Sequence, residues 1–194
     1  MPDLREQLQH CFQGRVCLMG FGNVLHGDDG FGVRLAEELK SEGRRPKAER
    51  SPKSEGRGED LSSSCSDFGL GPSFGLLSRV VIAGTTPDRF VGRVIEQGYD
   101  NLIFLDAVDF GAMPGSTILL DSEQMSARYP QVSTHKISLG LLAKWAEANG
   151  TTKAWLLGVQ PESLKPGDEL TPAVRTTLEL LRDLVRGITS EVMA

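Results

Sequence analysis

Four side chains in this sequence have the type and setting to do chemistry: Asp28 and Asp29 in the stretch GFGNVLHGDDGFG (Gly20 to Gly32), Asp106 at the end of NLIFLD, and His135 in STHKISLGLL. The first stretch sits between an apolar run, Val16 to Met19, and a helical pattern of Phe31, Val33, Leu35, Ala36 and Leu39. That is strand, tight loop, helix. Loops of this kind often hold phosphates, because glycines let the backbone approach a ligand and a helix N-terminus attracts an anion. Here the third glycine of the dinucleotide fingerprint is replaced by Leu25, no Gly-Lys-Ser/Thr follows, and two carboxylates would repel a phosphate. The loop therefore reads as one that presents a carboxylate to a cation or a proton. Helix capping is the plain alternative, since Asp is a favoured cap. One cap accounts for one aspartate, so one of the pair is left for the chemical role while the other caps the helix.

Asp106 follows the continuously apolar run Leu102 to Leu105, which suits the buried centre of a parallel sheet. A carboxylate at such a strand end is costly unless a cation, a donor or a catalytic task compensates it. A turn residue bonding backbone amides ahead of Pro114-Gly115 is an equal reading from position alone. His135 falls in the first turn of an expected helix opened by Ser133 and Thr134, where the positive end of the dipole disfavours the imidazolium. A lone histidine at a helix start is more often structural. Taken together, two carboxylates and a neutral imidazole could form a mixed N/O site for nickel, zinc, manganese or iron with positions left open. The spacing is not diagnostic, because neither H-E-x-x-H nor C-x-x-C occurs.

The elements that must position these groups alternate. A first helix is expected over Leu4, Leu8 and Phe12, then strands at 16–20, 78–82, 101–105, 117–120 and 154–159. Helices are expected from about Asp29 to Lys40, Asp88 to Glu96, Ser133 to before Gly150, and Pro172 to about Arg186. The link DAVDFGAMPGS is too short for a crossover helix, so the strands at 101–105 and 117–120 should run antiparallel. The expected fold is a single α/β three-layer sandwich, a five-stranded, mostly parallel sheet with one antiparallel strand and helices on both faces. Its site should lie at the carboxyl ends of the strands, where the Asp29 loop, the Gly84-Thr85 turn, Asp106 and the QPES loop converge. Residues 41–75, rich in charge, Ser, Gly and Pro, read as a disordered insertion in one domain spanning 1–194.

Composition narrows the partners. A formal net charge of −5 argues against general attraction to nucleic acid, and no apolar run approaches membrane-spanning length. Cys11, Cys17 and Cys65 form neither a disulfide framework nor a cysteine zinc site, which points to reduced thiols and a cytoplasmic location. The one G-x-S-x-G match, Gly71-Pro72-Ser73-Phe74-Gly75, falls in the expected 41–75 insertion and not at a strand-to-helix elbow, and Cys17 falls inside an expected strand, so no serine or cysteine nucleophile is supported.

Four blocks in order, GFGNVLHGDDGFG, LDAVDFGAMPG, STHKISLGLL and GVQPESLKPGDELTP, resemble the peptidases that mature nickel–iron hydrogenases. The similarity covers most of the chain outside the first dozen residues and 41–75. It implies an endopeptidase that removes the C-terminal extension of the hydrogenase large-subunit precursor once nickel is in place. It implies that Asp29, Asp106 and His135 are the metal-contacting and catalytic residues, and that the nickel is carried by the substrate. Asp28, His26, Gly84 and Thr85 follow as candidates for orientation or substrate contact, and with Asp29 given to the metal, helix capping is the better job for Asp28. The turn that reads Asp-Gly-Gly-Thr/Ser in relatives is Ile82-Ala83-Gly84-Thr85 here, a departure that bears on substrate choice. The expected partner is the precursor, met by a monomer. Whether the metal polarises the scissile carbonyl and a water, or a carboxylate acts as general base, is left open. The alternatives are a non-catalytic nickel-binding or chaperone-like module on the same precursor, and a nucleotide-binding protein using the glycine loop.

Overall fold

The computed structural model describes residues 3–41, 78–128, 138–148 and 150–192. Five strands, β1 (Val16–Phe21), β2 (Ser78–Gly84), β3 (Asn101–Ala107), β4 (Thr117–Asp121) and β5 (Lys153–Val159), form one sheet in the order β2-β1-β3-β5-β4. All neighbours are parallel except β4 and β5. β4 does run opposite to β3, as the short link requires, but it pairs with β5, which inserts between them.

Alternation along the strands divides the core into two layers. On one face Val16, Leu18, Ile103, Leu105 and Leu157 pack against α1 (Leu4–Cys11), α2 (Phe31–Ser41) and α6 (Pro172–Val192). On the other, Cys17, Met19, Phe21, Leu102, Phe104 and Leu156 meet α3 (Asp88–Glu96), α4 (Ser122–Arg128) and α5 (Leu139–Glu147). This is the expected α/β sandwich. β1 is buried at every position and β3 at all but its last, which explains their unbroken apolar runs.

Local signals fix most ends. α1 starts on a capping box, in which the Asp3 carboxylate accepts from the Glu6 amide and Glu6 reaches back to the Asp3 amide. α5 begins later than expected. Its cap is Ser138, whose hydroxyl accepts from the Leu141 amide, so neither Ser133 nor Thr134 caps it. Residues 129–137, including His135, lie outside the described residues, as does the 41–75 insertion from residue 42 on. α4 was not expected. Its only large buried apolar side chain is Met125, too little to write a period into the sequence.

The contact that positions the site is between the start of α2 and the sheet. A Cβ on Gly32 would stand 1.9 Å from the Leu105 carbonyl oxygen and 2.6 Å from that of Phe21. A Cβ on Gly20 would meet the Gly32 carbonyl oxygen at 2.3 Å. The helix therefore lies closer to β1 and β3 than any side chain permits.

Gly32→Ala should destabilise the protein by about 3 kcal/mol or more, because the clash is with backbone that cannot rotate away. Gly187→Ala in α6, with nothing within 4 Å of its added Cβ, should instead gain roughly 0.5–1 kcal/mol. Urea unfolding of the two variants checks both signs.

Candidate functional site

Asp28 and Asp29 lie in a 3₁₀ turn, Gly27–Gly30, that follows β1 and leads directly into α2. Both are buried, as is Asp106 near the end of β3, where it pairs in register with Gly158 of β5. Gly22, at φ 116°, lets β1 turn away while the carbonyl of Asp29 packs onto it; a Cβ there would stand 1.7 Å from that oxygen. This packing brings Asp29 to the carboxyl edge of the sheet beside Asp106.

The adjacent aspartates do different work. Asp28 accepts from the amides of Glu162 at 2.8 Å, Ser163 at 3.0 Å and Thr171 at 2.7 Å, and from the Thr171 hydroxyl at 2.9 Å. The expected capping role is therefore wrong. Asp28 pins the long loop after β5 and, fully buried with both oxygens bonded to its own chain, is not presented to a substrate. Asp29 accepts from the Asn23 amide at 2.8 Å through Oδ2. Asp106 accepts from the Ala107 amide at 2.9 Å through Oδ1.

Burial raises the pKa of Asp106 well above the usual carboxylate range, and the charge of nearby Asp29 raises it further; the Ala107 amide opposes both. Two carboxylates so placed form a group that takes up a proton or a cation readily. Among the described residues no cluster of three or more His, Cys, Asp or Glu side chains is assembled, and His135 falls outside them. Of the three residues expected at the site, Asp29 and Asp106 are described.

The secondary candidates are edge groups. His26 is exposed, and its backbone bridges to Gly167. Gly84 accepts from the Gly22 amide at 3.1 Å through its carbonyl, which sets the Gly84-Thr85 turn beside the Asp29 loop, with Thr85 exposed. Cys11 and Cys17 are buried thiols pushed up to about 12 by desolvation, so neither is a nucleophile.

Gln160, not singled out from the sequence, is an organising residue. It lies just past β5, and its Oε1 accepts from the amides of Phe110 at 2.8 Å and Ala112 at 3.2 Å. Its Nε2 donates to Asp109 Oδ1 at 3.0 Å and to the Pro161 carbonyl at 3.3 Å. One buried amide thereby shapes the loop that leaves Asp106. The available signal was a polar residue directly after the apolar run of β5.

Solved structures place this arrangement in a class, the hydrogenase maturation proteases. A protease of that description from Thermococcus kodakarensis superposes with a TM-score of 0.70 at 26% identity, covering 94% of this chain and 97% of its own. An Escherichia coli hydrogenase maturating endopeptidase superposes at 0.64 with 25% identity, covering 91% and 93%. Among curated sequences, the hydrogenase 2 maturation protease of E. coli strain K12 is 27% identical over 85% of this chain and 84% of its own length. The hydrogenase expression/formation protein HoxM of Azotobacter vinelandii is 27% identical over 89% and 74%. The HycI family model, described as hydrogenase maturation protease, matches residues 76–188, more than half of the sequence. The chain belongs to the HycI hydrogenase maturation protease family.

The raised pKa of Asp106 sets the sign of one prediction. The native state holds the proton more tightly than the unfolded chain, so this residue's contribution is most favourable below the unfolded value of ~3.9 and is lost as pH rises through the folded value. Asp106→Asn should therefore be more stable than the parent at pH 7, by roughly 2–4 °C in Tm or more, with the gain shrinking toward pH 4. Thermal melts across pH 4–8 read this. Asp28→Ala should do the reverse and lose about 3 kcal/mol or more, because it strips partners from buried amides of three residues; urea unfolding measures the loss.

Proposed function

We propose that this chain is an endopeptidase that removes the C-terminal extension of a nickel–iron hydrogenase large-subunit precursor after nickel has been inserted. Asp29, Asp106 and His135 are its metal-contacting and catalytic residues, and the nickel belongs to the substrate. The observation that carries this reading is the buried pair of carboxylates at the carboxyl edge of the sheet, of which Asp106 resists ionisation beside Asp29. A divalent cation brought by the substrate relieves that repulsion, so a loaded precursor docks more favourably than an empty one. Nickel then serves as a check on completed assembly. Membership of the maturation protease family supports the same substrate class.

Asp106 also suits the chemistry. A carboxylate whose pKa is raised is a better proton acceptor than an ordinary one. In the hydrolytic step water oxygen adds to the scissile carbonyl carbon, its proton passes to a carboxylate of the pair, and the proton is returned to the departing amine as the C–N bond breaks. The enzyme works as a monomer in the cytoplasm. No helix among the described residues is long and apolar enough to cross a membrane.

The test is incubation with nickel-loaded and nickel-free precursor, followed by mass spectrometry. The C-terminal peptide should be lost only from the loaded form. Asp29→Asn, Asp106→Asn and His135→Ala should each slow that loss by about 100-fold or more. Binding without any change in mass would make the protein a non-catalytic docking module, and normal processing by all three variants would remove the metal site.

A further inference from the structure

Three of the large apolar side chains left exposed in this structure lie on one edge. Leu25 is 63% exposed, Met113 79% and Leu164 42%. They sit on the loops that leave the carboxyl ends of β1, β3 and β5, the edge that carries Asp29 and Asp106. The others among the described residues, Leu141 and Trp145 on α5 and Leu180 and Val192 on α6, lie on helices and not on these loops. An exposed leucine by itself signifies little.

What distinguishes this set is the rigidity of its mount. Leu25 accepts through its carbonyl from the Gly167 amide at 2.9 Å, and the Gly167 carbonyl accepts from Gly27 at 2.7 Å. The loop carrying Leu164 is thereby stitched to the loop carrying Leu25, and Asp28 pins it from beneath through Glu162 and Ser163. The loop carrying Met113 is held by the Gln160 side chain at Phe110 and Ala112, and by the main-chain bonds Gly115 to Gln160 at 2.9 Å and Gln160 to Ser116 at 2.8 Å. These three loops make a single hydrogen-bonded rim. Exposed apolar groups on pinned backbone lose little entropy when covered, the property of good docking anchors.

The rim also carries charge. Asp109, Glu162, Asp168 and Glu169 are exposed on it, against Lys165 and Arg175, the latter paired with Glu169 at 3.8 Å, which leaves a net acidic surface. Hydrogen bonds from the Gln160 amide and the Gly111 backbone hold the Asp109 carboxyl below its usual range, so it stays ionised.

We propose that this rim is the docking surface for the precursor polypeptide, with Leu25, Met113 and Leu164 covered by an apolar stretch whose flanks are basic. The inference rests on the proposed function for the identity of the partner. It adds where the partner is held outside the reacting groups, and the charge of the segment held.

The experiment separates the two claims. Nickel-free precursor, left uncut under the proposed function, is titrated by interferometry against the full chain and its Leu25→Ser, Met113→Ser and Leu164→Ser variants, singly and together. Leu180→Ser, 66% exposed midway along α6, is the control. Each single change should weaken Kd by about 3–10-fold and the triple by about 100-fold or more, with the control unchanged. Binding by the parent should weaken as salt is raised from 50 to 500 mM. With loaded precursor, the triple variant should raise KM while kcat stays within about twofold. Unchanged Kd in the triple variant overturns the docking surface, even if the parent cleaves normally. A triple variant that instead dissociates a self-associated parent in sedimentation also overturns it, because the occupant is then a second copy. Failure of the parent to cleave, with rim-dependent binding intact, overturns the proposed function and leaves the docking surface standing.

Discussion

The structure depends on one close approach, that of the first turn of α2 to the carboxyl ends of β1 and β3. With Gly32 against the Leu105 carbonyl and Gly22 under the Asp29 carbonyl, backbone meets backbone without an intervening side chain. Asp106 follows Leu105 directly, so the same contact that packs the helix sets Asp29 beside Asp106. The glycines of the loop act as packing residues. They fix the distance between two carboxylates that a larger residue would separate, and the pKa of Asp106 is raised first by its burial there and then by the charge of Asp29.

Asp28 and Asp29 show how a single step along the chain divides structure from chemistry. Successive residues of the 3₁₀ turn point in different directions. Asp28 is directed at the loop after β5 and holds it through four hydrogen bonds, while Asp29 is directed at the sheet edge. A carboxylate saturated by backbone amides is an internal strut, and its neighbour with the other orientation can serve a cation or a proton. Gln160 does for the loop after β3 what Asp28 does for the loop after β5. Between them they turn two long connections into fixed walls around the acidic pair.

Much of this was legible in the sequence, for reasons that differ by element. β1 and β3 were readable because strands buried on both faces are continuously apolar, and the strand–loop–helix around Gly20 to Gly32 because glycine clusters between such signals have few other uses. The position of β4 was not, since direction follows from a short link but neighbour choice depends on a pairing with β5 far along the chain. The work of Asp28 was hidden for the same reason. Its partners lie 134 to 143 residues away, and capping is the only role local sequence can suggest for it. Asp29 and Asp106 were identified by convergence at the carboxyl edge and by resemblance, and the structure brings both to that edge as buried groups. His135, named on the same grounds, lies outside the described residues.

The central claim is that Asp29 and Asp106 form one electrostatically coupled unit at the sheet edge. Carbon-13 NMR of the aspartate carboxyl groups, followed through a pH titration in the parent and in Asp29→Asn, measures that coupling at the atom concerned. The account predicts that Asp106 titrates well above the ordinary carboxylate range in the parent and moves down when the charge at position 29 is removed. An Asp106 that titrates near ~3.9 in both proteins would contradict it.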